Sequence, residues 1–292
     1  MRSLLLVTVM IAAAHRSAPP GALEELQRWR AEQERSLTSP ESPLARLPAR
    51  GLSPGHNRLG SGPQDDLRFD SPGVPASAAD FVWAGGMVRL EPWMPMLLVD
   101  GQPAVSGPLR WGAHVSLGPL LLVLQGGPRA PSLAVFDASL PDVVHYQGLK
   151  YLPTDWAYRV PATFTPADAG RTLTVETSTG GEKTLPLKGT LHFELHGKQL
   201  SLDGFGLGEH PNDYFVIFKD RTNGKETYGS GRFVWVPGAV DGKTTIDFNL
   251  AWNPLCAYSH AFNCPLAPPE NRLPVAIPVG EATFPHQESA AP

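Results

Sequence analysis

Charged side chains are scarce in this chain of 292 residues, at 18% against about 25% in an ordinary globular protein. The net charge is −4, so there is no basic surplus, and an electrostatic footprint for nucleic acid is excluded. Past the N-terminus no apolar run reaches the roughly 20 residues that span a bilayer. Two cysteines exclude a disulfide-dense scaffold. Lysine is missing from the first half: the first is Lys150 and the last Lys243, although arginines are plentiful before them. The chain also lacks Gly-x-Ser-x-Gly, His-Glu-x-x-His and a Gly-x-Gly-x-x-Gly opening a helix. The run Gly238 to Thr244 has the look of a phosphate loop, but it is one residue short and falls in a hairpin turn. No cofactor is implied.

What is present begins with a leader. A positive start, an apolar run from Leu4 to Ala14 and the small-residue end Ala12-Ala13-Ala14 are the parts of a secretory signal peptide. Export to the periplasm or beyond is therefore expected, with cleavage near Ala14. No cysteine follows that could carry a lipid anchor. Residues 22–37 read as a helix, with Glu24 and Glu25 at the positive end of its dipole and an apolar stripe of Leu23, Leu26 and Trp29. Pro40 and Pro43 stop it. From about Ala49 onward, 29 glycines and 31 prolines over the whole chain set a rhythm of short strands and turns, which argues for sandwiches or barrels.

The expected architecture is all-β after that single helix. Residues 15–48 carry the helix and a linker, 49–125 a first β-sandwich, 132–285 a second antiparallel sandwich or barrel, and 286–292 a disordered tail. Gln125–Pro131 is the linker by composition. Gly180-Gly181, Asn223-Gly224 and Asp241-Gly242 read as hairpin turns, because these residues tolerate positive φ. The last two share a strand, which predicts a three-stranded meander over 214–252.

Three constellations could carry chemistry. His192, Glu194 and His196 alternate on one strand face, either as a solvated face or as part of a metal site. Cys256 and Cys264 enclose His260. In an exported protein they pair most simply as a disulfide, with free or redox-active thiols and a Cys-His-Cys metal group as the alternatives. In the meander, a two-residue turn at Asp241-Gly242 sets Val234 opposite Asn249 and Arg232 opposite Ala251. Lys219, Tyr228, Arg232, Asp247 and Asn249 then share a polar face, an expectation that one slip of register would invert. Asn253, Asn271, Arg272 and Glu281 follow in the Pro-rich tail and could close over it.

The segments Tyr228-Gly-Ser-Gly-Arg232, Asp247-Phe-Asn249, Asn253-Pro-x-Cys256-Ala-Tyr258, Cys264-Pro-Leu-x-Pro-Pro-Glu-Asn-Arg-Leu273 and Gly280-Glu281 resemble the bacterial domain-of-unknown-function 1684 family. Tyr146-Gln-Gly-Leu-Lys-Tyr151-Leu-Pro153 is similar to that family's central segment, and the Trp-containing helix followed by Ser42-Pro43-Leu44 to its opening. The resemblance implies a β-rich fold and no assigned activity. Within residues 58–124, Leu59-Gly60-Ser61, Asp65-Asp66-Leu-Arg-Phe69, Ser77-Ala-Ala79, Val99-Asp100-Gly101 and Leu109-Arg-Trp-Gly112 resemble a forkhead-associated sandwich. Its phosphate-binding Arg is replaced by Ser61, its Ser-x-x-His element appears as Ser77 and Asp80, and its Asn-Gly turn as Asp100-Gly101. A scaffold without phosphopeptide binding is expected.

These residues lead to an exported binding or structural module whose C-terminal half recognises a small polar ligand or glycan. A hydrolase of esters or phosphates is the rival, with Asp247 or Glu281 as general base and Arg232 stabilising negative charge. A thiol redox protein using Cys256 and Cys264 is the third reading.

Overall fold

The computed structural model describes residues 17–286; the apolar leader and residues 287–292 of the expected tail lie outside the described residues. The chain folds as an all-β protein with one long helix, α1, at Ala22–Leu37, the span expected from its pattern. Its buried residues are Ala22, Leu26 and Leu37. Leu23, placed on the apolar stripe by its spacing, is 49% exposed.

The first β unit is a sandwich. One sheet runs in the order Arg46–Gly51, Ser132–Asp137, Leu120–Gln125, His114–Leu117, Leu98–Val99, Gln102–Pro103. The facing sheet is Leu67–Arg68, Gly55–Gly60, Ala79–Ala84, Met87–Pro92, Gly107–Pro108. Alternate residues of both sheets interdigitate: Leu59, Phe81 and Leu90 from one meet Val115, Leu122 and Leu133 from the other, the two-layer solution of period-two strands. The boundary expected at Gln125–Pro131 is corrected here. That segment is the hairpin between Leu120–Gln125 and Ser132–Asp137, which pair from Leu120↔Asp137 to Gln125↔Ser132. Glycine and proline mark a turn inside the sandwich, which runs on to Asp137.

The second unit is a sheet in the order Arg232–Val236, Tyr214–Phe218, Lys198–Phe205, Glu182–Leu195, Arg159–Pro166, Lys243–Asp247, with Thr172–Glu176 on the far half of the long strand. The Gly180-Gly181 hairpin forms as expected, with Glu176 opposite Glu182. The strands flanking Asn223-Gly224 pair antiparallel, with Phe218 opposite Arg232. The meander's third strand is a correction. Lys243–Asp247 pairs with Arg159–Pro166, Asp247 facing Arg159. Asp241 and Gly242 do adopt positive φ of 50° and 71°, but across their turn the chain pairs at Val240↔Lys243 and then at the isolated Phe233↔Trp252 bridge, not in the expected register. Pro237 and Gly238 take the chain off the sheet first: Gly238 N donates to Asp213 Oδ1, and a Cβ there would meet Asn212 O at 2.4 Å.

The tail then closes the unit. Leu273, Val275, Ile277 and Val279 alternate inward and pack on Val216, Phe218, Val234 and Ile246, so a run outside the named strands, tied to residues 219 and 221 by the bonds from Leu273 N to Lys219 O and from Arg221 N to Val275 O, contributes a strand-like apolar face.

Candidate functional site

Residues 150–152 run antiparallel to 280–282. Leu152 N donates to Gly280 O and Ala282 N to Lys150 O, each at 2.9 Å, setting Tyr151 opposite Glu281. Gly280 is required there: its φ is 80°, and a Cβ would meet the carbonyl oxygens of Phe248 and Ala251 at 2.8 Å. Glu281 therefore points inward and is wholly buried. Its Oε2 accepts from Asn253 N at 2.9 Å, and its Oε1 from Asn253 Nδ2 at 2.7 Å and Tyr258 Oη at 2.6 Å. Burial pushes its carboxyl up from 4.5 to about 7, against the opposing effect of Tyr258, Asn253 and, through space, Arg232. A buried acid tuned toward neutrality marks a functional-site candidate.

α1 roofs this cluster. Trp29 packs edge-on to Tyr151 at 5.9 Å, the Arg30 guanidinium lies 4.3 Å over the same ring, and Arg30 Nη2 donates to Thr154 Oγ1. Glu34 Oε2 accepts from Leu149 N. Tyr146 and Tyr151 are both pushed up, first by burial and then by carboxylates, Glu34 for Tyr146 and Glu281 for Tyr151. Among the described residues, six buried side-chain polar atoms lack a hydrogen-bond partner, and four belong to this cluster: Arg30 Nε, Tyr146 Oη, Tyr151 Oη and Asn253 Oδ1. The orientation of the Asn253 amide is fixed, because its Nδ2 also donates to Ala282 O. A cavity of about 30 Å³ opens beside Tyr146, Gly148 and Phe284, room for about one water.

The other residues expected at the site are dispersed, because the meander register that would have gathered them does not form. Arg232 is wholly buried; its Nη2 donates to Asp220 Oδ2 and Ile277 O, each at 2.8 Å, and its Nη1 to Val279 O. Asp247 holds Arg159 at 2.7 Å and caps Asn249, whose amide clasps the backbone of Asp155. Asn271 bonds Asp203 N, Asp203 O and Ile217 O. Lys219 and Arg272 are joined through their backbones, Arg272 exposed and Lys219 half-buried. Tyr228 Oη donates to Cys256 O at 3.2 Å. Of the residues expected on the polar face or closing over it, side-chain hydrogen bonds join Asn249 with Asp247 and Asn253 with Glu281. Arg30, Glu34, Tyr146, Tyr151 and Tyr258 were missed as site residues, although the last three stand in the motifs that carry the family resemblance.

The two remaining constellations are placed as follows. His196 leaves the face of His192 and Glu194: it takes positive φ of 52° in the turn and meets Tyr158 Oη at 3.1 Å. Among the described residues no group of His, Cys, Asp and Glu could hold a metal. The expected disulfide is corrected: Cys256 and Cys264 are free, buried thiols. They pack among Val175, Phe205, Phe215 and Phe233, and Cys256 N donates to Cys264 Sγ at 3.2 Å.

Residues 144–282 match the model of a protein family of unknown function, DUF1684. No curated protein matches the chain. Among solved structures, the chain is similar to an uncharacterised protein of Haloarcula marismortui, at 36% identity and a TM-score of 0.42, over 49% of this chain and 80% of that one. It is also similar to the FHA domain of FhaA in complex with the intracellular domain of Rv3910, at 18% identity and a TM-score of 0.23, over 30% of this chain and 96% of that one. An FHA domain studied for phosphothreonine-dependent interactions matches at 18% identity and a TM-score of 0.23, over 30% of this chain and 92% of that one.

Proposed function

From a chain that belongs, through residues 144–282, to the DUF1684 family of proteins of unknown function, we propose an exported binding module whose C-terminal half holds a small hydroxylated molecule against Glu281. One observation carries this reading: four of the six partnerless buried polar atoms lie in the cluster formed by α1, Tyr146, Tyr151 and the Asn253–Glu281 pair, whereas the side chains of Asp247, Asn249 and Asn271 are engaged within the protein and Arg232 leaves only its Nε without a partner. A buried polar atom left unpaired costs about 1–3 kcal/mol, so four together favour an occupant. The set mixes donors, acceptors and hydroxyls that can be either, which suits a polyol or sugar hydroxyl pair better than a charged ligand. Since the cavity of about 30 Å³ beside Tyr146 holds about one water, such a ligand enters only with α1 displaced from the cluster.

The hydrolase reading loses its stabilising cation, because Arg232 is wholly buried with both terminal nitrogens held by Asp220 and two carbonyls. The redox reading has a thiol pair enclosed in an apolar core, where buried cysteines are ordinarily inert.

The test is a thermal-shift panel of small polyols and monosaccharides on the full mature chain. Saturable stabilisation by at least one member is expected, and its loss in the Tyr146→Phe, Tyr151→Phe double variant. A flat panel, together with a crystal structure in which waters alone satisfy the four atoms, would sink the reading. Export is tested by the mass of the mature protein, with cleavage near Ala14 expected and an intact Met1 contradicting it.

A further inference from the structure

A cleft of about 320 Å³ lies between the sandwich and the C-terminal half, away from the polar cluster and separated from it by Tyr258. Leu44, Leu47 and Leu140 supply apolar wall; Tyr258 lines the cleft with its ring while its hydroxyl reaches Glu281. The volume falls at the low end of the about 300–1,000 Å³ of small-molecule sites, which favour junctions of this kind and pair an apolar lining with a few placed polar groups.

The placed group is Arg46. Its backbone carbonyl accepts from Ser259 Oγ at 2.6 Å, tying the sandwich to the C-terminal half, and its guanidinium lies 4.9 Å from the centre of the Phe136 ring. Its Nη1 is buried and has no hydrogen-bond partner. The acid that acts on it, Glu41, is engaged with His114 at 3.1 Å. The acid that lines the cleft, Asp142, holds His286 at 2.7 Å. His260 stands exposed at the rim. The cleft thus has one cation at the edge of an aliphatic wall, and the guanidinium keeps an unpaired, enclosed Nη1.

We propose that this cleft binds an amphiphilic carboxylic acid, its carboxylate on Arg46 and its hydrocarbon chain against Leu44, Leu47 and Leu140. A carboxylate answers a guanidinium with charge-assisted hydrogen bonds. A single cation beside an apolar wall suits one negative charge with a hydrocarbon body; a phosphate dianion would call for more donors than the cleft offers.

The probe is octanoate, titrated calorimetrically into the full mature chain, with 1-octanol and inorganic phosphate as comparators. One octanoate per chain is expected, with shifts at the Tyr258 and His260 ring signals by NMR. Octanol and the Arg46→Gln variant should each bind roughly tenfold more weakly or worse, the loss that goes with a charge-assisted hydrogen bond. Equal affinity for octanol and octanoate in the wild type, signal shifts confined to other residues, or no saturable binding would each overturn the proposal. The octanol comparison needs no variant, so it decides the matter even if Arg46→Gln does not fold.

Discussion

Arg232 and Asp220 stand twelve residues apart in the chain and meet at 2.8 Å with both side chains wholly buried. The pair joins two structures that local sequence does not connect. Asp220 Oδ1 accepts from Thr222 N, Thr222 Oγ1 and Ile277 N, while Arg232 donates to the carbonyls of Ile277 and Val279. The tail is thereby fastened to the end of the sheet. Removing one member leaves a buried charge uncompensated, at about 3–5 kcal/mol. Arg232→Ala and Asp220→Asn are each expected to lower the unfolding free energy from urea titration by that amount and the midpoint with it, while Arg171→Ala, at an exposed position, leaves both in place. A midpoint for Arg232→Ala equal to wild type would show that the tail is held without this pair.

Glu281 sets a dependence on pH. Its carboxyl is raised from 4.5 to about 7, first by burial. Between those values the native state keeps a proton that the unfolded state has released. The stability this group contributes is therefore complete below about 4.5 and is lost as pH climbs to about 7, by about 3 kcal/mol in all. Glu281→Gln should flatten that descent. Unfolding free energies measured from roughly pH 5 to 7.5 should fall more steeply for wild type than for the variant, and parallel curves would show that Glu281 does not titrate in this range.

Much of the fold was legible in the sequence because its signals are local. The helix at 22–37 follows from spacing and proline stops, and the Gly180-Gly181 turn follows from two residues that take positive φ at no cost. The site was legible only in part, because its assembly depends on long-range pairing. The turn at Asp241-Gly242 was read correctly in conformation, yet its strand crosses to Arg159–Pro166, and nothing within 214–252 announces that partner. A single broken register then placed Arg232, Asp247 and Asn249 on a face they do not share. Asp220 escaped notice because an acid beside a turn reads as turn chemistry, and its burial comes from a tail more than fifty residues away. Asn253 and Glu281 were found because a polar side chain in a Gly- and Pro-rich run has few ordinary reasons to be there.

The sandwich offers phosphate no cationic seat at the position where the forkhead-associated resemblance would require one. Ser61 Oγ donates to Val74 O at 2.9 Å, and Ser77 Oγ to Asp65 Oδ1 at 3.1 Å. Asp80, in place of the family's histidine, accepts from Asn57 N and pairs with His56. Two hydroxyls are used internally, and the third group is an acid that would repel the ligand. A phosphothreonine peptide array is expected to show no phosphate-dependent binding. Micromolar binding abolished by phosphatase would move the functional centre to the sandwich.

The thiols give the last prediction. Cys256 stands in the turn Leu255–Ala257 and Cys264 eight residues on, where its sulfur accepts the Cys256 N–H. The hydrogen bond from the Cys264 thiol lowers Cys256 to about 6 and raises Cys264 in return, so the proton between them belongs to Cys264. Both are 6% exposed, and the thiolate is the reacting form. Denatured protein, never exposed to reductant, should therefore titrate for two thiols. In the native state alkylation at neutral pH should be slow, and the first adduct should fall on Cys256. No thiols on denaturation would restore the disulfide. A first adduct on Cys264 would reverse the direction of the shared hydrogen bond.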